Sequence, residues 1–294
     1  MIITHITGGL GNQMFQYAAG RALSLERKQP LRLDVSGFAG NGPHQGFELP
    51  LVFDCPVEIA TQAEMYNILG WQSPARIRRV LARPSLAGFC RDGFIVEPHF
   101  HYWPEIKNVP SASYLHGYWQ SEKYFRQFAS VILTDFTFKI PLTSRNAELA
   151  NHIKQVEAVS LHVRRGDYVR NKKTNARHGL CSLQYYQTAI QNISEKVEQS
   201  HFFIFSDDIA WAKDNLSMDL PCQYVDLNRG AESYNDMHLM SLCRHHVIAN
   251  SSFSWWAAWL NPNPEKIVVA PKRWFADEKK LNTKDLFPQG WVTL

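Results

Sequence analysis

From Val159 onward the chain alternates short apolar runs with stretches of helical period. Residues 159–163, 201–205, 223–227, 246–249 and 266–270 read as strands, rich in β-branched and aromatic side chains. The intervening segments 182–199, 208–216, 233–243 and 252–260 read as helices. Strands regularly separated by helices make βαβ units and a parallel sheet. The earlier part is less regular. Residues 2–7 predict a strand, Gly8-Gly9-Leu10-Gly11-Asn12-Gln13 a turn, 14–28 a helix, and 31–35 a second strand carrying Asp34. Gly, Pro and His punctuate 36–56. A helix is expected over 61–81, interrupted at Pro74, with strands at 94–97 and 113–119. Ser121 suits the N-cap of a helix starting near residue 120. Residues 141–155 read as a junction followed by a helix. The expected division is therefore an α/β domain over 1–150 and a second over 151–294, which suits a chain of 294 residues.

The polar residues cluster where the strands end. Past the predicted strands come His162-Val163-Arg164-Arg165-Gly166-Asp167, Ser206-Asp207-Asp208, Asp226-Leu227-Asn228, Asn250-Ser251-Ser252-Phe253-Ser254 and Pro271-Lys272-Arg273. Ligands of open α/β sheets bind at the carboxyl ends of the strands, so one rim of this sheet is a candidate site. Two guanidiniums, Arg164 and Arg165, suit a pyrophosphate, because the arginine fork matches phosphate oxygens. The alternative is a salt bridge between Arg164 and Asp167 that caps the strand. Asn250, Ser251, Ser252 and Ser254 open a helix, where hydroxyls and free amides hold phosphate or simply cap. Asp207, Asp208 and Asp236 are placed either to cap helices or to accept from a base; a carboxylate such as Asp236 can take both N–H groups of guanine.

The first glycine turn begins a GxGxxG, and Asp34 lies near the distance expected for a ribose-binding acid. Met14 stands where the third glycine belongs, so the fingerprint is incomplete. Asn12 and Gln13 put amide groups at that turn, useful for sugar hydroxyls or phosphate. An NAD(P)-dependent oxidoreductase is thus one alternative. A glycan-binding module built on Phe100, Tyr102, Trp103, Tyr118, Trp119, Tyr124 and Phe125 is another. Trp255, Trp256 and Trp259 follow at helical spacing and read as core.

Composition narrows the classes. The chain is 45% hydrophobic and 20% charged, with a net charge of +4, which lacks the dense basic pattern of a nucleic-acid binder. Arg76-Ile77-Arg78-Arg79 and Arg170-Asn171-Lys172-Lys173 read as solvated surface, with anionic lipid as the alternative contact. Five dispersed cysteines without metal spacing point to a reducing compartment. No apolar run is long enough to span a bilayer, and the start of the chain does not read as a signal peptide, so a cytoplasmic location is expected. There is no DxD, P-loop, GxSxG or HExxH. Phosphate charge would be met by arginine and helix ends.

Taken together, Gly8–Gln16, Gly117–Phe125, His162–Tyr168, Phe205–Asp208 and Asn250–Trp256 resemble, in order, the motifs of the α-1,2-fucosyltransferases, glycosyltransferase family 11. The resemblance runs from residue 2 to about residue 275. It implies a GT-B fold, two Rossmann-like domains facing a cleft, with the acceptor side in 1–150 and GDP-fucose bound by 151–294. It implies GDP-β-L-fucose as donor, a galactose-terminated oligosaccharide or lipid-linked glycan as acceptor, inversion at C1, and no metal or other cofactor. It also implies a role in O-antigen or related surface-glycan synthesis, on the cytoplasmic face of the membrane as a peripheral enzyme. Arg164 matches the arginine that binds the donor β-phosphate. His162 and Asp236 match guanine contacts of the wider superfamily, and Ser252 and Ser254 match phosphate-side positions. Asn12 matches an asparagine near the reacting sugar. Arg165 and Asp167 are members of the same motif, and Asp167 is the candidate base.

Overall fold

The computed structural model describes residues 1–38, 45–166, 176, 179–277 and 281–294. It divides into two compact units, Met1–Lys139 with Asn282–Leu286, and Ile140–Leu281 with Phe287–Leu294. The division precedes the helix Ser144–Gln155, whereas a boundary after residue 150 would cut it, because that helix packs against β5 and the helix Tyr234–Ser241 of the second unit.

In the first unit β1 (Ile2–His5) leads through α1 (Leu10–Arg27) to β2 (Leu31–Asp34). Three helices follow, α2 (Leu49–Val52), α3 (Gln62–Leu69) and α4 (Ala75–Leu81), then β3 (Phe94–Val96), β4 (Ser113–His116) and α5 (Ala129–Asp135). Among the described residues the sheet has four strands, all parallel, in the order β2-β1-β4-β3. The two sides of β1 feed two cores. Ile2 packs with Ala19, Leu23, Leu115 and Trp119, whereas Ile3 packs with Met65, Leu69, Phe94 and Tyr114. Each such fully buried side chain contributes roughly 1.5–3 kcal/mol. Gly20 sits mid-helix, against helix propensity, because a Cβ there would lie 2.0 Å from the Thr4 hydroxyl of β1. The predicted helix over 61–81 is two helices. The first opens with a capping box between Thr61 and Glu64, and the second starts after Pro74. The segment Asn282–Leu286 is held in this unit by Asp285, whose carboxylate meets Lys123 at 2.5 Å and the Tyr102 amide at 3.2 Å.

The second unit opens with α6 (Ser144–Gln155) and β5 (Glu157–Val163). It continues through α7 (Leu183–Ser194), β6 (Ser200–Ser206), α8 (Ile209–Asn215), β7 (Cys222–Val225), α9 (Tyr234–Ser241), β8 (His245–Val247), α10 (Ser252–Leu260) and β9 (Val268–Ala270). A final two-residue strand, β10 (Val292–Thr293), joins the edge beyond β9; the sequence reading gave no sign of it. Among the described residues the sheet has six parallel strands in the order β10-β9-β8-β5-β6-β7. β5 is central and buried along both faces, as a near-continuous apolar run predicts. Its Ser160 is satisfied by His246 of β8, hydroxyl to Nδ1 at 2.8 Å, while Asn261 donates to the other ring nitrogen at 2.8 Å. Trp255 and Trp256 of α10 are fully buried and pack with Trp259 and Trp291, so the tryptophan cluster is core.

Candidate active site

The topology of the second sheet marks its site. From β5 the chain builds outward through β6 and β7, then returns to place β8 on the other flank of β5. The order reverses between β5 and β8, and the crevice at the carboxyl ends of those two strands is where open α/β sheets take nucleotides. Arg164-Arg165-Gly166 leaves β5 there, and Asn250-Ser251-Ser252 leaves β8 there.

The turn after β5 is clamped by the turn after β6. Asp207 Oδ1 accepts the amides of Arg165 at 2.8 Å and Gly166 at 2.9 Å, and its Oδ2 lies 3.3 Å from the Arg164 guanidinium. Gly166 permits this approach, since a Cβ there would press on Asp207 at 3.1 Å. Arg165 lies flat on the Trp211 ring of α8, 3.9 Å from its centroid, and 3.9 Å from Asp208. Asp208 caps α8 through the Trp211 amide at 3.3 Å. Asp207, expected from sequence either to cap a helix or to accept from a base, here holds the turn that carries the two arginines. Trp211 was missed, because a lone tryptophan in a short helix carries no pattern.

Across the switch point the N-terminus of α10 is capped by Ser251, whose hydroxyl accepts the Phe253 amide at 3.3 Å. Ser254 is buried and donates to the Ser251 carbonyl at 3.3 Å, while Ser252 is partly exposed in the first turn. An anion at this end is favoured by the helix dipole and free amides. Asn250 serves the framework: its amide nitrogen reaches the carbonyls of Gly179 and Trp274 at 3.2 Å each, and its oxygen faces the Cys181 thiol at 3.5 Å. His162, the penultimate residue of β5, is buried beside Phe253, ring centroids 5.9 Å apart. Burial, with Arg164 nearby, pushes its pKa well below the ordinary histidine value despite Asp207, so the ring is neutral. Its Nδ1 is buried without a hydrogen-bond partner among the described residues.

Asp236 lies in the first turn of α9. Asn228 donates to it at 2.7 Å, and Asn228 exchanges amide bonds with Asn146 of α6 at 2.8 and 3.0 Å. Burial, assisted by the Asp226 charge, lifts the Asp236 carboxyl to about 7 against the Asn228 hydrogen bond. A carboxylate held in this condition gains from two further N–H donors.

In the first unit the dinucleotide reading fails on Asp34. That carboxylate is buried and takes Arg78 at 2.9 Å, the Tyr114 hydroxyl at 2.5 Å and the Ser36 amide at 3.0 Å, which leaves no place for a ribose. Arg78, expected on the surface, is buried for the same reason. Gln13 is also internal: its amide nitrogen donates to the carbonyls of Gly8 and Gly46, and its oxygen accepts the Glu48 amide. Asn12 lies in the first turn of α1, where its oxygen accepts Gln120 at 2.7 Å from the segment after β4. Asp167 and the basic run 170–173 lie outside the described residues.

The fold is of the GT-B type. Fucosyltransferase NodZ from Bradyrhizobium superposes with a TM-score of 0.53, covering 89% of this chain and 93% of its own at 16% identity. An alpha-1,2-colitosyltransferase of Escherichia coli is 35% identical over 299 residues, 100% of this chain and 99% of its own. The O-antigen biosynthesis glycosyltransferase WbnK, also of Escherichia coli, is 35% identical over 307 residues, covering 98% and 99% of the two chains. Residues 100–294, which hold the arginine turn and the α10 N-terminus just described, match the family "Glycosyl transferase family 11", and with full-length relatives this similar the chain belongs to it.

Proposed function

We propose that this chain transfers L-fucose from GDP-β-L-fucose to the 2-hydroxyl of a terminal β-galactoside, with inversion and without a metal, in O-antigen or other surface-glycan synthesis. The observation that carries the reading is the arginine pair at the switch point, fixed by Asp207 and placed across from a capped helix N-terminus. Arg164 and the amides of α10 receive the diphosphate; Asp236 takes the two N–H groups of guanine; the neutral His162, packed against Phe253 of α10, is assigned to the guanine side. Asn12 sits near the reacting sugar, as the resemblance implies.

The reaction is a single displacement at C1. Negative charge grows on the β-phosphate as the C1–O bond breaks, and a guanidinium held in advance meets that charge without reorganising. One such donor is worth about 3–4 kcal/mol, so Arg164→Ala should lower turnover by roughly a hundredfold to a thousandfold with the fold intact. The cationic side chains take the place that a metal holds in other nucleotide-sugar enzymes.

A second donor deserves its own test, because a full-length relative is named a colitosyltransferase. Colitose is fucose without its 3-hydroxyl, so the two donors share every group that the arginines, α10 and Asp236 would bind. The O-antigen name of WbnK supports a glycan acceptor. Among the described residues no helix is long and apolar enough to cross a membrane.

Calorimetry with GDP and NADH in parallel tests the donor class. Binding of GDP alone is expected; binding of NADH alone would return the oxidoreductase reading. Competing GDP-fucose against GDP-colitose in the transfer assay then fixes the sugar.

A further inference from the structure

One basic stretch of the first unit is not used by the glycosyl-transfer chemistry. Over 65–91, between Glu64 and Asp92, the chain holds five arginines and no acidic residue. Arg78 is neutralised in the interior by Asp34. Arg76, Arg79, Arg83 and Arg91 are exposed, and they form no ion pair among the described residues.

The helix α4 sorts these residues by face. Ile77 and Leu81 belong to the core that also holds Met65 and Leu69 of α3. Arg76, Arg79 and Val80 stand at i, i+3 and i+4 and make one outward face. Arg83 continues it into the next turn, where its amide donates to the Val80 carbonyl at 3.3 Å. Val80 is itself 48% exposed.

Large aromatics lie on the same segment. A single turn, Gly70–Gln72, follows α3, and its Trp71 is 62% exposed. Phe89 is 71% exposed, and its backbone is tied to that turn. The buried Gln72 donates to the Phe89 carbonyl at 2.8 Å and accepts the Arg91 amide at 3.0 Å. The Arg91 guanidinium lies against Gly70, where a Cβ would collide with it. Tyr66 of α3, whose carbonyl accepts the Gly70 amide, is 62% exposed as well. Folding therefore leaves three large rings in water beside four uncompensated guanidiniums. Exposed apolar groups gathered on one segment mark an interaction surface.

We infer that the segment 65–91 docks on an anionic lipid surface. Aromatic rings settle at the headgroup level of a bilayer, and arginines reach its phosphates while their stems cover apolar surface. A run of one sign without acids gains from a negative membrane potential and repels its own copy. Two such faces meeting in an isologous dimer would set arginine against arginine. Sequence alone leaves Arg76–Arg79 between solvated surface and lipid contact; the unpaired arginines and the exposed rings beside them favour lipid.

The test is flotation of the full chain with vesicles of phosphatidylcholine, alone or mixed with phosphatidylglycerol. Two variants are compared with wild type, Trp71→Ser with Phe89→Ser, and Arg76→Gln with Arg79→Gln and Arg83→Gln. Wild type should float with the anionic vesicles, not with the neutral ones, and less as salt rises from roughly 0.05 to 0.5 M. The arginine variant should partition about a hundredfold less, at about fivefold per arginine. The aromatic variant should partition about tenfold less even at low salt. Thermal unfolding and GDP affinity should match wild type in both, so that a failure here is distinct from a failure of the glycosyl-transfer reading. Absence of binding to anionic vesicles, equal binding to neutral ones, or variants that bind as wild type would each overturn the inference. Capture by soluble poly-glutamate as tight as by anionic vesicles, and unaffected in the aromatic variant, would overturn it in favour of an acidic protein partner.

Discussion

Asp207 holds Arg164: one carboxylate oxygen lies 3.3 Å from the guanidinium while the other ties down the two amides that follow it, those of Arg165 and Gly166. A carboxylate beside a phosphate site repels the ligand, so its place there is explained by what it does to the turn. It fixes the backbone that carries both arginines and leaves the remaining guanidinium donors to be aimed. Removing it frees the turn. Asp207→Ala should lower kcat/KM for transfer by about tenfold to a hundredfold, the 1.5–3 kcal/mol range of a hydrogen bond to a charged group. Asp207→Asn, which keeps an acceptor for the two amides, should fall in between. Steady-state kinetics check this, and a stronger loss in Asn than in Ala would contradict it.

With Asp236 as the proposed guanine contact, GDP binding should depend on pH. Its carboxyl titrates at about 7 in the folded chain, against about 3.9 for an unperturbed aspartate. The folded state therefore holds the extra proton between those values, and the stability contributed by the protonated form declines as pH rises through that window. Guanine needs the ionised form, so GDP affinity should rise as pH passes upward through 7. Asp236→Asn should weaken binding and flatten that dependence. Calorimetry at roughly pH 6 and pH 8, on either side of that value, reads both effects, and a flat wild-type profile would count against the guanine assignment.

Asn250 should prove structural first. Its amide nitrogen is shared by the buried carbonyls of Gly179 and Trp274. Asn250→Ala strands both, at about 1–3 kcal/mol. Denaturant unfolding should show that loss, and activity should fall through it, with the bound fraction of folded protein retaining wild-type GDP affinity. Full stability with lost affinity would instead make Asn250 a ligand contact.

The second unit was legible because its inner strands β5, β8 and β9 are buried and β5 reads as a near-continuous apolar run, with the polar residues left at the strand ends. That arithmetic brought Arg164, Arg165, Asp207, Asp236 and the α10 serines to one edge of one sheet. The first unit was harder. A strand, glycine turn, helix and acid at the right distance look the same whether Asp34 meets a ribose or a buried arginine, and the partner that decides it, Arg78, sits 44 residues away in a run that reads as surface. Gln13 misled for a similar reason, as its partners Gly46 and Glu48 come from a punctuated loop. The two-residue β10 is too short for any periodicity to show.

The most direct measurement is product formation from GDP-fucose on a panel of β-galactosides, with EDTA present and the linkage read by NMR. Fucose on the galactose 2-hydroxyl is the predicted result and would establish donor, linkage and metal independence together. Hydrolysis of GDP-fucose without transfer would keep the donor and reopen the acceptor. Neither transfer nor GDP binding would contradict the account at its centre, the arginine pair as a diphosphate site.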